Sequence, residues 1–112
     1  MNFDTVELDN GITKVVLSGR MDIAGAAAVD LKFSVLAGAK KKLLVDLTDV
    51  SFMASLGIRT LMLSAKAMAN KGGKMVLLNP QPNVGKVLET TGVNTVIPVV
   101  HGMEAAIASF AA

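Results

Sequence analysis

The sequence predicts a single α/β domain over residues 1–112, with a mostly parallel sheet of about five strands and four helices. Two observations carry this prediction. Short β-branched and apolar runs alternate along the chain with segments of helical periodicity, and a tight turn signal separates the first two runs. Alternating strands and helices imply right-handed crossovers between parallel strands, whereas a tight turn joins antiparallel ones. The length of 112 residues, 52% of them apolar, suits one core.

The first two strands are predicted to form a hairpin. Residues Phe3 to Leu8 alternate loosely between apolar and polar side chains, and Ile12 to Ser18 contains a β-branched run. The intervening Asp9-Asn10-Gly11 is typical of a tight turn. The hairpin therefore supplies the one antiparallel N-terminal strand of the sheet.

The first helix is predicted from Ala24 to Ala39, because apolar residues recur there at helical spacing and three lysines follow. The positions expected to face the core are Ala28, Leu31, Val35 and Leu36. The apolar run Leu43-Leu44-Val45 predicts a strand buried on both faces. We expect this strand to end at Asp46-Leu47-Thr48-Asp49.

The remaining elements continue the alternation. The predicted segments are a helix at Leu56–Asn70, a strand at Met75–Leu78, a helix at Asn83–Thr91, a strand at Val96–Val100 and a helix at Met103–Phe110. Pro98 indicates that the last strand lies at a sheet edge, because proline donates no ladder hydrogen bond.

Composition argues against several classes of function. Cysteine is absent, which excludes disulfides and thiolate metal sites and is typical of a reducing cytoplasm. The net charge is only +2 and the four Phe are the only aromatic residues, so a nucleic-acid interface is not expected. No stretch is long and apolar enough for membrane insertion. We expect a cytoplasmic protein that needs no cofactor.

Three segments should meet beyond the carboxyl ends of the strands, where open α/β sheets place their working surface. They are Gly19-Arg20-Met21-Asp22, Asp46 to Gly57 and Asn79 to Asn83. Ser55 falls at the predicted N-cap of the second helix. It is either an unmodified capping serine or a phosphorylation site, because Gly57 is expected to leave the first-turn amides uncovered and a helix N-terminus favours anions.

Catalytic alternatives lack the necessary residues. His101 is the only histidine and lies far along the chain from Ser55, which is not in a G-x-S-x-G elbow. The carboxylates Asp22, Asp46 and Asp49 could hold Mg²⁺ in a small phosphatase-like enzyme. The competing interpretation is structural, with Asp22 capping the first helix and the other two holding the strand-to-helix turn. We expect a binding protein and not an enzyme.

Two motifs resemble those of the STAS domains of bacterial anti-sigma factor antagonists, and the resemblance covers essentially the whole chain. Gly19-Arg20-Met21-Asp22 is similar to the family's G-x-[LM]-D. The segment Asp46-Leu47-Thr48-Asp49-Val50-Ser51-Phe52-Met53-Ala54-Ser55-Leu56-Gly57-Ile58 is similar to its D-[LF]-x-x-[VL]-x-[FY]-[ILM]-D-S-[STA]-G-[LI]. Ala54 and Leu56 depart from that pattern, since the family has Asp and a small residue there.

The resemblance implies a partner switch. In this family the unphosphorylated protein binds an anti-sigma factor, usually a serine kinase, and so frees a sigma factor. The kinase phosphorylates the serine that corresponds to Ser55, and a PP2C-type phosphatase reverses the reaction. The predicted partner-binding residues are Asp22, Met53, Ala54, Ser55, Leu56, Gly57 and Ile58. An alternative within the same family is an accessory subunit that binds the ATPase of an ABC-type lipid transporter.

Overall fold

The computed structural model describes residues 1–111 and confirms the predicted fold class. The strands are β1 (Asn2–Glu7), β2 (Thr13–Met21), β3 (Lys42–Met53), β4 (Lys74–Leu78) and β5 (Val99–Val100). The helices are α1 (Ile23–Ala39), α2 (Ser55–Asn70), α3 (Pro82–Thr90) and α4 (Met103–Ala111). Each helix follows a strand, so the predicted order of elements is confirmed.

The five strands lie side by side in chain order, β1-β2-β3-β4-β5. β1 pairs antiparallel with β2, and all other neighbouring pairs are parallel. The predicted turn at Asp9–Gly11 is a short 3-10 turn, in which Asn10 (φ 70°) and Gly11 (φ 75°) adopt left-handed backbone conformations. Such conformations are easiest for Gly and Asn, which explains their use here.

Two hydrophobic clusters hold the sheet between layers of helices. The larger cluster lies between one sheet face and the helices α1, α2 and α3, and includes Leu17, Phe33, Val45 and Leu61. On the other face, α4 covers a smaller cluster that includes Leu44, Val76 and Phe110. Parallel strands are typically covered on both faces in this way.

The predicted inward face of α1 is wrong. Val29, Phe33 and Ala37 point into the core, whereas Leu31 and Val35 are 74% and 62% exposed. The helix is apolar around most of its circumference, so the periodicity of its apolar residues does not define one face. Its orientation follows Phe33, whose ring packs edge-on against Phe3 with centroids 5.2 Å apart.

The predicted end of β3 at Asp46–Asp49 is also wrong, because the strand continues to Met53. β3 carries one extra residue relative to β2 at two places, between Asp46 and Asp49 and between Val50 and Phe52. Such bulges break the two-residue alternation of side chains. The buried positions of this stretch are therefore three residues apart, at Leu47, Val50 and Met53.

The last strand is shorter than predicted but lies at the predicted edge of the sheet. Only Val99 and Val100 form β5, and a 3-10 turn at Val93–Thr95 occupies the preceding segment. Pro98 contributes its carbonyl, which accepts a hydrogen bond of 2.9 Å from the amide of Leu77. The missing N–H of Pro98 costs nothing at an edge.

Candidate functional site

The candidate site forms where β2 and β3 end side by side. The amide of Ala54 donates a hydrogen bond of 2.9 Å to the carbonyl of Met21. Met21 is the last residue of β2 and Ala54 the first after β3, so this bond fixes the start of α1 beside the start of α2. Asp22 and Ser55 are the residues that follow Met21 and Ala54 along the chain.

Ser55 is exposed and opens α2, but it is not the N-cap that the sequence suggested. Ala54 takes the cap position with extended backbone (φ −97°, ψ 172°), and no side chain caps the helix. The first helical bond runs from the amide of Ile58 to the carbonyl of Ala54 at 3.1 Å. Amides earlier in this first turn have no carbonyl partner within the helix, which makes this end electropositive.

Gly57 has a different role from the one expected. It is buried, and a Cβ at this position would overlap the side chain of Met21 and lie 3.2 Å from the Met21 carbonyl oxygen. The glycine therefore permits α2 to pack closely on the end of β2. Uncovered first-turn amides result from the absence of a side-chain cap and not from Gly57 itself.

The apolar residues among the predicted partner-binding residues differ in their exposure. Met53 is only 3% exposed and belongs to the main core, so it does not lie on the exposed surface beside Ser55. Its burial follows from the second bulge of β3, which turns Met53 inward and leaves Phe52 at the surface. Ala54 and Ile58 are half-buried, and Leu56 is 39% exposed.

Two apolar side chains that sequence analysis missed extend this surface. Ile23, at the first turn of α1, is 70% exposed, and Leu63 on α2 is 54% exposed. They line a groove of about 420 Å³ between α1 and α2, together with Leu56 and Arg59. Its position directly after the predicted cap Asp22 was the only sequence signal for Ile23.

Asp22 caps α1, as predicted. Its Oδ1 accepts a hydrogen bond of 2.8 Å from the amide of Gly25, and its Oδ2 lies 3.7 Å from Nε of Arg20. The Gly25 hydrogen bond, with a smaller contribution from the Arg20 charge, lowers the pKa of Asp22 below its ordinary value. Arg20 also lies over the ring of Phe52, 4.5 Å from its centroid.

The other two carboxylates do not join Asp22 in a metal site. Oδ1 of Asp46 accepts bonds from the amide (3.0 Å) and hydroxyl (2.6 Å) of Thr48, and its Oδ2 lies 3.5 Å from Nζ of Lys14. Asp46 thus holds the first bulge of β3 and not the turn into α2. Among residues 1–111, no cluster of three or more His, Cys, Asp or Glu could hold a metal ion.

The third predicted segment meets the second, which contains β3. Nε2 of Gln81 donates to the carbonyl of Thr48 at 3.0 Å, and Nδ2 of Asn83 donates to the carbonyl of Ser51 at 2.8 Å. Both acceptors lie in the bulged part of β3. Sequence analysis named this segment without recognising that these two amides hold the bulges in place.

The histidine lies apart from this arrangement. His101 is exposed and follows β5, two strands away from β3 in the sheet.

Within the part of the chain that the structure describes, none of the helices combines the length and the apolar character that a membrane span requires.

A hairpin followed by parallel strands, with two helix starts meeting beside an exposed serine, is the architecture of a STAS domain. Residues 5–106 match the family model described as STAS domain, and the chain belongs to this family. The predicted resemblance is therefore confirmed.

Individual relatives are distant. The chain is 27% identical to BtrV of Bordetella bronchiseptica over 107 residues, which cover 95% of this chain and 92% of that protein. It is also 27% identical to the anti-sigma-B factor antagonist of Bacillus subtilis, over 88% of this chain and 90% of that protein. The structure of Bacillus SpoIIAA in its phosphorylated form has a TM-score of 0.73 and 23% identity, covering 96% and 98% of the two chains.

Proposed function

We propose that this protein is an anti-sigma factor antagonist whose binding to a serine-kinase anti-sigma factor is switched by phosphorylation of Ser55. One observation carries the proposal: the exposed residue Ser55 lies at the electropositive start of α2, next to Leu56, whose exposed side chain lines one groove with Ile23. A modifiable group thus adjoins a surface suited to a protein partner.

The unphosphorylated surface has the composition of a small protein interface. Ile23, Leu56 and Leu63 supply apolar area around the groove between α1 and α2. Arg59 adds a positive charge to the lining of this groove, and Asp22 directly precedes Ile23 along the chain. Apolar area at the centre of an interface contributes most of the affinity, whereas charged residues at the border mainly affect orientation and rate.

Phosphorylation of Ser55 would change this surface without unfolding the domain. The phosphate adds about −1.5 to −2 charges, and the free first-turn amides of α2 can bind it. A docked partner would meet this charge beside Leu56, where desolvating a phosphate is costly. The expected result is a weaker complex and, in the cycle, release of the anti-sigma factor until a PP2C-type phosphatase removes the phosphate.

The named relatives support this assignment. The Bacillus subtilis relative is an anti-sigma-B factor antagonist, and SpoIIAA, an anti-sigma factor antagonist, has structures in unphosphorylated and phosphorylated forms. The serine motif of the family falls on Ser55, with Ala54 replacing the acidic residue before it. Without that carboxylate, a phosphate on Ser55 has one negative neighbour fewer.

The test uses the purified protein with the serine-kinase anti-sigma factor encoded by the same genome, ATP and Mg²⁺. We expect phosphate on Ser55 by mass spectrometry and none on Ser55→Ala. Ser51→Ala is the matched control, because Ser51 is an exposed serine at the same sheet edge whose hydroxyl bonds the Gly19 carbonyl at 3.4 Å. This control should be phosphorylated like the wild type.

Binding is measured in parallel by calorimetry. Ser55→Asp should weaken the complex about tenfold or more, and Ser51→Asp should change it little. Stoichiometric phosphorylation of Ser55→Ala would contradict the switch. Capture of an ABC-type ATPase, with no binding to any anti-sigma factor, would contradict the assigned partner.

A further inference from the structure

A second groove lies between α2 and the part of the sheet formed by β4 and β5. One wall is α2, the other is the segment 96–98 that leads into β5, and the groove has a volume of about 700 Å³. We call it the α2–β4 groove. The large apolar side chains along it are those of Met62, Leu63, Met75, Val96 and Ile97. Its volume is typical of sites that bind small molecules.

The uncharged lining residues of the α2–β4 groove have no hydrogen-bonding side chain. Met75 and Ile97 are buried and form its base, whereas Leu63 and Val96 are exposed on its two walls. The other uncharged residues of the lining are Met, Ala, Gly and Pro. An extended peptide in the groove would find no uncharged side chain to pair with its backbone N–H and C=O groups. An alkyl chain has no such groups, so it suits this interior better.

The charges that line the α2–β4 groove are all positive. α2 has two charged residues, Arg59 and Lys66, and both line the groove. They lie about two helical turns apart, or about 10 Å along the axis, on one side of the helix. The third cation of the lining, Lys74, donates a hydrogen bond from Nζ to the carbonyl of Ser109 on α4. Arg59 and Lys66 are therefore the two cations that face a ligand from the α2 wall.

These two cations have no carboxylate partner within residues 1–111. The ion pairs in this part of the chain involve Lys14, Arg20 and Lys40. α2 contains no acidic residue, so no partner is available one turn away on the same helix. No Asp or Glu of the described residues lines the groove either. The charge of the site is thus complementary to a ligand with an anionic head and an apolar body.

We propose that the α2–β4 groove binds a free long-chain carboxylic acid. The alkyl chain lies against Met62, Met75 and Ile97, and the carboxylate lies at Arg59 and Lys66. Methionine side chains are flexible and adapt to the shape of an apolar ligand. A guanidinium donates two parallel hydrogen bonds to a carboxylate, so Arg59 is the principal partner of the head group.

This site adjoins the proposed partner surface without containing Ser55. Arg59 and Leu63 line both the α2–β4 groove and the groove between α1 and α2, so they form the ridge between the two. Ser55 does not line the α2–β4 groove. Binding of the carboxylic acid is therefore measured on the protein alone, and its outcome depends neither on phosphorylation nor on an anti-sigma factor.

The test is calorimetric titration of the full chain with dodecanoate, at concentrations below those at which it forms micelles. We expect one saturable site with a dissociation constant of about 10–100 µM. Octanoate has a shorter chain and should bind at least about tenfold more weakly. Dodecyltrimethylammonium has the same chain and a cationic head, so like-charge repulsion from Arg59 and Lys66 should weaken its binding at least about tenfold.

Two pairs of variants locate the site. Ala65→Phe fills the groove and should weaken dodecanoate binding about tenfold or more, whereas Ala67→Phe lies on α2 outside the lining and should bind like the wild type. Lys66→Glu reverses one charge of the site and should weaken binding about fivefold or more. Lys86→Glu makes the same change in net charge on α3, outside the groove, and should alter the affinity less than about twofold. Circular dichroism checks that each variant is folded.

An absence of saturable dodecanoate binding up to about 1 mM would overturn the proposal and leave the groove to a protein partner. Equal affinity for dodecyltrimethylammonium would also overturn it, as would dodecanoate binding that Ala65→Phe leaves unchanged. Binding only to vesicles of anionic phospholipid, with none to free dodecanoate, would overturn it as well. Should Ala65→Phe fail to fold, an unchanged affinity in Lys66→Glu would be sufficient to reject the site.

Discussion

The amide of Ala54 donates a hydrogen bond of 2.9 Å to the carbonyl of Met21, and this bond ties the ends of β2 and β3 together. Asp22 follows one partner of the bond and Ser55 follows the other. The two helix starts are therefore held side by side by a backbone bond, in which the exposed side chains of Ser55 and Leu56 take no part. Ser55 and Leu56 can therefore be changed with little effect on this framework, which allows stability and binding to be tested separately.

Substitutions at Met53 and Leu56 should have different effects on stability, because Met53 lies in the core and Leu56 at the surface. Met53→Ala removes a side chain that is 3% exposed, so we expect the free energy of unfolding to fall by about 2–5 kcal/mol. Leu56→Ala, at 39% exposure, should change it by no more than about 0.5 kcal/mol. Urea unfolding measures both. A stable Met53→Ala protein would contradict the buried position of this residue.

Gly57→Ala should destabilise the protein although alanine is the better helix former. The added methyl group would overlap the Met21 side chain, and the expected cost is about 1–3 kcal/mol. Gly85→Ala in α3 is the matched control, because its Cβ would lie 3.8 Å from the nearest atom, Cγ of Pro80. There the helix propensity of alanine should stabilise by up to about 1 kcal/mol. Thermal unfolding of both variants tests whether the two changes in stability have opposite signs.

The pH dependence of stability should depend on Asp22. Its pKa is lowered from the ordinary 3.8 in the folded state, so its contribution is present above that value and is lost as the pH falls through the lowered pKa. The amide side chain introduced by Asp22→Asn would still accept the Gly25 bond but cannot titrate. Between about pH 5 and pH 3, the variant should therefore lose less stability than the wild type. An equal loss of stability in the wild type and the variant over this pH range would contradict this role of Asp22.

Ser55→Asp should leave the fold intact. Aspartate at the first position of α2 interacts favourably with the helix dipole, so the free energy of unfolding should change by no more than about 1 kcal/mol. Gly57→Asp places the same charge two residues further on in a buried position, where we expect severe destabilisation. Urea unfolding compares the two. Equal stability losses would mean that the start of α2 is not the open surface described above.

The elements of the fold could be predicted wherever one local signal dominates. The turn at Asn10-Gly11 and the edge position marked by Pro98 each rest on backbone constraints that one residue imposes. Asp22 could also be predicted as a cap, because its short carboxylate side chain accepts a hydrogen bond from an amide of the first helical turn. These features need no knowledge of the rest of the molecule.

The errors arise where tertiary contacts decide between equivalent local solutions. In α1, apolar residues on all sides leave the inward face undetermined until Phe33 meets Phe3. At α2, the sequence offers Ser55 as a capping side chain, but the bond from Ala54 to Met21 fixes the chain one residue earlier. The burial of Met53 depends on bulges that are visible only when β3 is paired with β2.

The extra residues of β3 make the strand sensitive to changes in length. Removing Ser51 would restore the pairing with β2 at the second bulge, but a one-residue shift in a strand exchanges its two faces. Met53 and Phe52 would compete for one inward position. The end of β3 would rotate, and the Ser55 hydroxyl would change its direction with it. A single-codon deletion here would thus be more damaging than most substitutions, so homologues should differ in side chains along this segment and keep its length.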